Sequence, residues 1–460
     1  MSSPRIKDVL LLTSTLSTLY LLLLHHGHPF STTPTTPTPT PTTLRHLLFS
    51  IASTSSSLPK RTPFINIWYH PTSTRAFLFL DHSTPNLTTT TLPPIMTSSP
   101  TSSFPYTFQN GRRSAIRVAR VVKEAVQLNQ SDIRWYVFGD DDTVFFSDNL
   151  VKTLSKYDHE RWYYVGSNSE SYEQNAQHSF DMAFGGGGFA ISSSLARVLA
   201  GVLDSCLVRY PHLYGSDARV FSCLAELGVG LTHEPGFHQV DVRGDLFGML
   251  SSHPLSPLLS LHHLDIVESI FPGMSRTQAL EHLFKAVDVD PARILQQSVC
   301  YDRSNSRTVS VAWGYAIQVF EGNQLLPDFL LPQRTFRPWK RGRDVCLSRY
   351  MFKTREYPNV LCTRPPAFFL KSILHDANGV YTDYTRYTSG DCLEKKAILK
   401  LEHIKVFSQK LDLDIGQVYL CGHVLKAPRR QCCDVVSSSD ETMAINIREC
   451  RVDEQISMQN

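Results

Sequence analysis

The chain has 460 residues, enough for one large hydrophobic core or two moderate ones. Its formal charge is only +3 and it has no dense Lys/Arg block, which argues against nucleic-acid binding. With 42 % hydrophobic residues and aromatics spread along its length, it is a folded body and not a disordered chain.

Residues 1–8 carry Arg5 and Lys7 and precede Val9–Leu24, an uncharged, largely apolar run of 16 residues. His25–His28 lacks a small-x-small cleavage site, so 1–8 reads as a cytoplasmic tail and 9–24 as a transmembrane signal anchor, with the rest of the chain in the lumen. A cleaved signal peptide is the first competing reading. A chloroplast transit peptide is the second, since the first hundred residues are rich in Ser and Thr and poor in acids. Residues 25–43 include the Pro/Thr repeat Ser31–Thr43, which can form a hydrated stem but no core; low-complexity filler is the plainer alternative.

The folded body is expected to begin near Leu44. Leu47–Ser53 and Arg75–Asp81 read as strands, with a basic and aromatic stretch, Pro59–His70, between them. Thr84–Ser103 reads as a long loop. Ser114–Leu128 carries an apolar helical stripe with its basic residues outside it. Arg134–Gly139 is then an apolar strand ending abruptly in Asp140, Asp141 and Asp142. Three adjacent carboxylates repel one another, and a hard divalent cation neutralises them at the carboxyl end of a strand, where α/β sheets bind ligands. The bland alternative is a solvated acidic turn.

Trp162–Gly166 reads as a short strand, and Gly185–Gly188 as an ordered glycine run whose backbone can approach a ligand closely. It has neither the GxGxxG spacing nor the GK[ST] ending of the common nucleotide loops. Ser192–Leu207 reads as a helix. Ser310–Phe320 alternates like a half-buried strand, with Trp313, Tyr315 and Phe320, as well as Trp135 and Trp162, assigned to the core. Residues 344–460 hold seven of the ten cysteines and read as a separate Cys-rich C-terminal domain. An even cysteine count suits an oxidising compartment, and the adjacent Cys432 and Cys433 are expected in different bridges. Asn86 and Asn129 head glycosylation sequons.

Asp140–Phe145 (DDDTVF), Gly185–Ser192 (GGGGFAIS), Leu213–Val229 (LYGSDARVFSCLAELGV) and Ser260–Asp265 (SLHHLD) occur in the order found in Fringe-like β-1,3-glycosyltransferases. Over residues 44–340 the chain resembles most closely a plant family of unknown function that carries the Fringe-like domain. The resemblance implies an α/β fold of the GT-A nucleotide-sugar transferase type, a Rossmann-like mixed sheet flanked by helices, over residues 44–343. It implies transfer with inversion from a UDP-sugar to a glycan or glycoprotein hydroxyl, β-1,3-linked, with manganese or another divalent cation. It also implies a single-pass type II protein of the Golgi membrane, held there by the N-terminal anchor. On this pattern Asp142 and His263, with His262 beside it, hold the metal, while Asp140 and Asp141 contact the nucleotide and ribose; Gly186 and Gly187 join the donor site.

The pattern breaks at one point. The family's catalytic base is the second of a carboxylate pair, and that position is Ala218, which cannot accept a proton. Asp217 is the substitute if the loop shifts by a residue, and Glu234 a more distant one. The chain therefore also reads as a catalytically impaired relative that binds a nucleotide sugar or glycan. A third reading takes Asp140-x-Asp142-x-Val144 as the nucleophile motif of an aspartyl-phosphate phosphatase, but no downstream acidic pair accompanies it.

Overall fold

The computed structural model describes residues 40–83, 91–340, 349–388, 400–411, 429–439 and 441–458. The expected tail and anchor, most of the expected stem, Asn86 and Cys346, Cys392 and Cys421 lie outside them. Among the described residues no helix is long and apolar enough to cross a membrane. Residues Thr42–Asn460 form one compact unit.

Its centre is a mixed seven-stranded sheet of order β3-β2-β1-β4-β7-β6-β8. The strands are β1 (Leu47–Ala52), β2 (Ala76–Leu80), β3 (Ile95–Thr97), β4 (Trp135–Asp140), β6 (Tyr164–Gly166), β7 (Phe189–Ser192) and β8 (Leu231–His233). β3, β2, β1 and β4 run parallel, and β7 runs antiparallel to both neighbours. All six residues of β1 are buried, as in a sheet covered on both faces. Its alternate side chains serve two cores: Leu47, Phe49 and Ile51 join one cluster, and Leu48 joins the other with Ile116, Ala119 and Val122 of helix α1 (Ser114–Gln127).

Contrary to the sequence expectation, the basic residues of this helix are not all outside. Arg117 is buried because it donates to the carbonyls of Ser53 and Phe79, pinning the two strand ends where the site forms. Arg120 is buried against Asp204.

A small three-stranded sheet joins β5 (Val144–Phe145), β11 (Ser260–Leu261) and β9 (Phe237–His238), and β10 (Val242–Gly244) pairs with β15 (Phe336–Pro338). The remaining strands are β12 (Gln297–Asp302), β13 (Arg307–Ala312), β14 (Ala316–Glu321), β16 (Ala367–His375), β17 (Val380–Tyr387), β18 (His403–Ser408), β19 (Cys432–Ser438) and β20 (Thr442–Arg448). They form one eight-stranded sheet in the order β12-β13-β14-β16-β17-β18-β20-β19. The expected boundary at residue 343 thus does not separate two structures: β14 hydrogen-bonds to β16 across it, and side chains from both sides share one core. The single strand expected over Ser310–Phe320 is a hairpin turning at Trp313–Tyr315, with Trp313 and Tyr315 buried as assigned. Trp162 is not core; it is 46 % exposed.

Cys432 and Cys433 do enter different bridges, to Cys450 and Cys300 respectively, and Cys206 pairs with Cys223. The Cys300–Cys433 bridge spans 133 residues and ties β12 to β19, on either side of the supposed boundary.

Candidate active site

The site forms where β4 ends. Register pairs Ala52 with Asp140, so Ser53 and the three aspartates leave the sheet at the same edge. A tight turn follows: the Thr143 N–H donates to the Asp140 carbonyl at 3.1 Å, and the Asp140 N–H donates to Thr143 Oγ1 at 2.8 Å. The chain then enters β5, whose Val144 pairs antiparallel with Leu261 of β11. That register delivers the next residue, His262, back over Asp142.

The three aspartates have different surroundings. Asp141 is buried with a donor on each oxygen: its Oδ2 accepts from Ser53 and Ser57 hydroxyls at 2.6 Å each, and its Oδ1 accepts from Arg61 Nη1 at 2.7 Å. All three donors are protein groups. Asp142 is fully buried; its Oδ1 accepts from Arg61 at 2.8 Å and lies 3.1 Å from His262 Nε2, while its Oδ2 has no partner. Burial opposes its ionisation, but His262 and Arg61 hold the carboxyl well below the usual range. Asp140 keeps 41 % of its side chain exposed, 3.8 Å from His262 Nε2. Loss of solvent in the cleft and the neighbouring Asp142, Asp141 and Asp217 push its pKa up against the pull of His262; its remaining exposure makes the like charges the firmer cause.

The two histidines also divide. His262 is buried, its Nδ1 lies 3.3 Å from the Gln239 carbonyl, and its Nε2 faces Asp142 and Asp140. His263, which the resemblance favours as the metal ligand, packs its ring against His262 and is absent from the group of converging ligand atoms. Its Nδ1 lies 3.3 Å from the Val240 carbonyl and 3.6 Å from Asp241, and its ring stacks on Trp339 at 4.3 Å. Burial and His262 push its pKa down to about 2. Both Val240 and His263 have positive φ, at 55° and 57°. Strained residues of this kind cluster at functional sites; here the two imidazoles lie against each other, ring centroids 3.8 Å and planes 34° apart, with their Nδ1 atoms on different backbone carbonyls.

The glycine run makes room for His262. A Cβ on Gly186 would lie 2.1 Å from His262 Cε1, so no larger residue fits without moving the ring. The Gly187 N–H donates to Gln239 Oε1 at 2.5 Å, and the carbonyls of Gly186 and Gly187 accept from Thr143 and Ser260 hydroxyls. Gly186→Ala is expected to cost about 1–3 kcal/mol of stability through overpacking and to weaken divalent-cation binding through the displaced ring; thermal melts and cation titration read the two effects.

Ligand atoms of Asp140, Asp142 and His262 all lie within 4.8 Å of one another. The donor set is oxygen with one imidazole, and Asp142 Oδ2 is a buried acceptor with nothing to accept. Both features fit a divalent cation of the manganese or magnesium kind. A neutral His262 donating from Nδ1 to Gln239 would present a bare Nε2 to such an ion.

Without metal the carboxylates favour the imidazolium: although burial opposes it, Asp142 and Asp140 raise the His262 pKa from 6.5 to about 9. The sign follows from linkage. A raised folded pKa means that the His262–Asp142 pair stabilises the fold fully below about pH 6.5 and is lost as pH rises through about 9. In metal-free buffer the Tm advantage of wild type over His262→Gln is therefore expected to shrink between those values. Excess Mn2+ should abolish that trend.

Asp217 opens helix α2 (Ser216–Glu226) at the same edge. Its Oδ2 accepts from the Gly185 N–H at 3.3 Å and its Oδ1 from the Ala218 N–H at 2.9 Å. It lines a cavity of about 30 Å3 with Gly139, Asp140 and Gly185. Glu234 is not a free base: it is buried and bonded to Lys156 and Tyr157. Asn129 is exposed in a turn with φ 48°.

Sequence reasoning missed Arg61, Asp265, Ser53, Ser57 and Gln239. Arg61 lies on the helix Leu58–Asn66, and its Nη2 donates to Asp265 Oδ2 at 2.9 Å. Pro59–His70 advertised basic residues, but nothing in it says which one reaches the aspartates. Arg61 and Asp265 also wall an open cleft of about 620 Å3 with Ser57, Lys60, Arg276 and Thr277.

The mixed α/β sheet carries this acidic cluster at the edge where open α/β sheets bind ligands. The family model described as protein of unknown function, DUF604, matches residues 174–433, more than half of the chain, and the chain belongs to that family. A Fringe-like family model matches residues 42–247, the part that holds all three aspartates. The Fringe-like match supports a glycosyltransferase and leaves the aspartyl-phosphate reading without support. No curated protein matches the chain. Among solved structures, the chain is similar to the mannosyltransferase PcManGT from Pyrobaculum calidifontis, in complex with GDP-Man and Mn2+. The identity is 12 %, the match covers 49 % of this chain and 68 % of that one, and the TM-score is 0.25. At that score the likeness carries no weight, and the fold rests on the sheet order above.

Proposed function

We propose that the protein is a metal-dependent inverting glycosyltransferase that moves a sugar from a UDP-sugar to a glycan or glycoprotein hydroxyl, in β-1,3 linkage. The observation that carries this reading is the convergence of Asp140, Asp142 and His262 beside an orphaned buried carboxylate oxygen, within a Fringe-like domain. Asp142 and His262 would hold the cation, with Asp140 at the open side. A divalent cation there supplies positive charge for the donor's diphosphate as negative charge grows on the departing nucleotide.

The chain's own groups do the rest. Asp141 fixes Arg61 through a three-donor clamp, and Gln239 orients His262. The cleft beside Arg61, at about 620 Å3, is roomy enough for a nucleotide and carries Lys60 and Arg276 for phosphate charge. Asp217 is the carboxylate at hand to take the acceptor proton.

Luminal placement in the Golgi, a single-pass type II anchor in residues 9–24 and glycosylation at Asn129 and Asn86 complete the proposal. Seven cysteines in disulfides and an exposed Asn129 suit an oxidising lumen. The test is UDP release by the full-length protein from a panel of UDP-sugars, with and without Mn2+ and a mixed glycan acceptor. Acceptor-dependent release that needs Mn2+ is expected.

Ala218 favours a second reading: a relative that binds the donor without transferring it. Donor binding without release under any acceptor would establish that reading instead.

A further inference from the structure

We infer that Asp265 is a second carboxylate ligand of the cation site, paired with Asp142, and that Arg61 is the counter-ion the two share until a divalent cation arrives. The inference rests on the cation-binding reading above and extends it to residues that reading does not use.

Arg61 does not bind one carboxylate through both of its oxygens, as an isolated Arg–carboxylate pair commonly does. Its fork straddles two. Nη1 bonds one oxygen of Asp142, together with one of Asp141, and Nη2 bonds one oxygen of Asp265. One guanidinium thus holds an oxygen of Asp142 at 2.8 Å and an oxygen of Asp265 at 2.9 Å. Each is left with one buried oxygen, Asp142 Oδ2 and Asp265 Oδ1, that meets no donor. Asp142 is wholly buried and Asp265 has only 20 % of its side chain exposed.

A buried carboxylate oxygen without a donor is costly, and two on neighbouring like charges cost more. Asp141 shows that the fold can supply donors here, because both of its oxygens are satisfied. With all four ionised, Asp140, Asp141, Asp142 and Asp265 are directly paired with one guanidinium and one imidazole, so the cluster is short of positive charge. The topology explains the delivery: Asp265 leaves β11 three residues after His262, so one segment brings both groups to Asp142. The competing account of the two orphaned oxygens is a proton shared between the carboxyls, which needs no metal.

Mn2+ titration of the full-length protein by EPR, without donor, separates the accounts. Asp265→Asn keeps the shape and offers Asp142 an N–H, which would serve as well as a shared proton. Loss of a ligand is expected to weaken Mn2+ binding by about tenfold or more. Wild-type affinity in that variant, with a native near-UV circular dichroism spectrum, overturns the inference and leaves the proposed function standing. Arg61→Met gives a second reading that does not depend on how Asp265→Asn folds: removing the resident cation is expected to tighten Mn2+ binding. Unchanged or weaker binding there overturns the counter-ion role. Absence of Mn2+ binding by the wild type would contradict the proposed function as well.

Discussion

Ala218→Asp is expected to raise sugar transfer by roughly 100- to 10,000-fold, the usual contribution of a positioned general base. Ala218 is the third residue of its helix, after the N-cap Gly215, and sits in the first turn beside Asp217. A carboxylate there meets the positive end of the helix dipole, so the variant should fold as well as the wild type or slightly better. The side chain is half-buried at the edge where Gly185 and Asp140 already gather. A rise in acceptor-dependent UDP release, with unchanged donor affinity, would place the missing base at this position. Equal activity in both proteins would mean that Asp217 already serves, despite its bonds to Gly185 and Ala218. A silent wild type and an active variant would mark the natural chain as a donor-binding relative.

Asp142→Asn is expected to weaken Mn2+-dependent donor binding by roughly 100-fold or more, because it removes the charge to which both His262 and Arg61 are directed. Asparagine keeps the shape of the side chain in a fully buried position, which separates loss of charge from loss of packing. Residues in one network do not add, so His262→Gln on top of Asp142→Asn should cost little further. Isothermal titration with and without Mn2+ reads both variants. Metal-dependent donor binding that survives Asp142→Asn would move the cation elsewhere.

Much of the donor half of the site was legible in the chain because its parts are local. Arg134–Gly139 announces a buried strand, and three carboxylates at its end have few structural uses. The glycine run was legible as an ordered element, but not its purpose: only the fold shows His262 lying where a Gly186 Cβ would be. The choice between His262 and His263 was beyond the sequence for the same reason. Adjacent residues look alike in a string, and which imidazole faces Asp142 depends on the positive φ of His263 and the carbonyls offered by Gln239 and Val240.

The roles of Arg61 and of Asp265, the last residue of the SLHHLD motif, were not legible because they lie 80 and 123 residues from Asp141 and Asp142 respectively, and meet there only through tertiary packing. The domain boundary failed on a general physical point. Cysteine density marks where bridges end, but a strand at Gln297–Asp302 can be bridged to one at Cys432–Ser438, so the sheet runs across the change in composition.

Direct titration of UDP-sugars into the full-length wild-type protein, with and without Mn2+, tests the central claim most closely. Saturable binding of at least one UDP-sugar that requires Mn2+ is the predicted result. Binding that is indifferent to the metal, or no binding of any UDP-sugar in its presence, would contradict the assignment of Asp140, Asp142 and His262 to a nucleotide-sugar site.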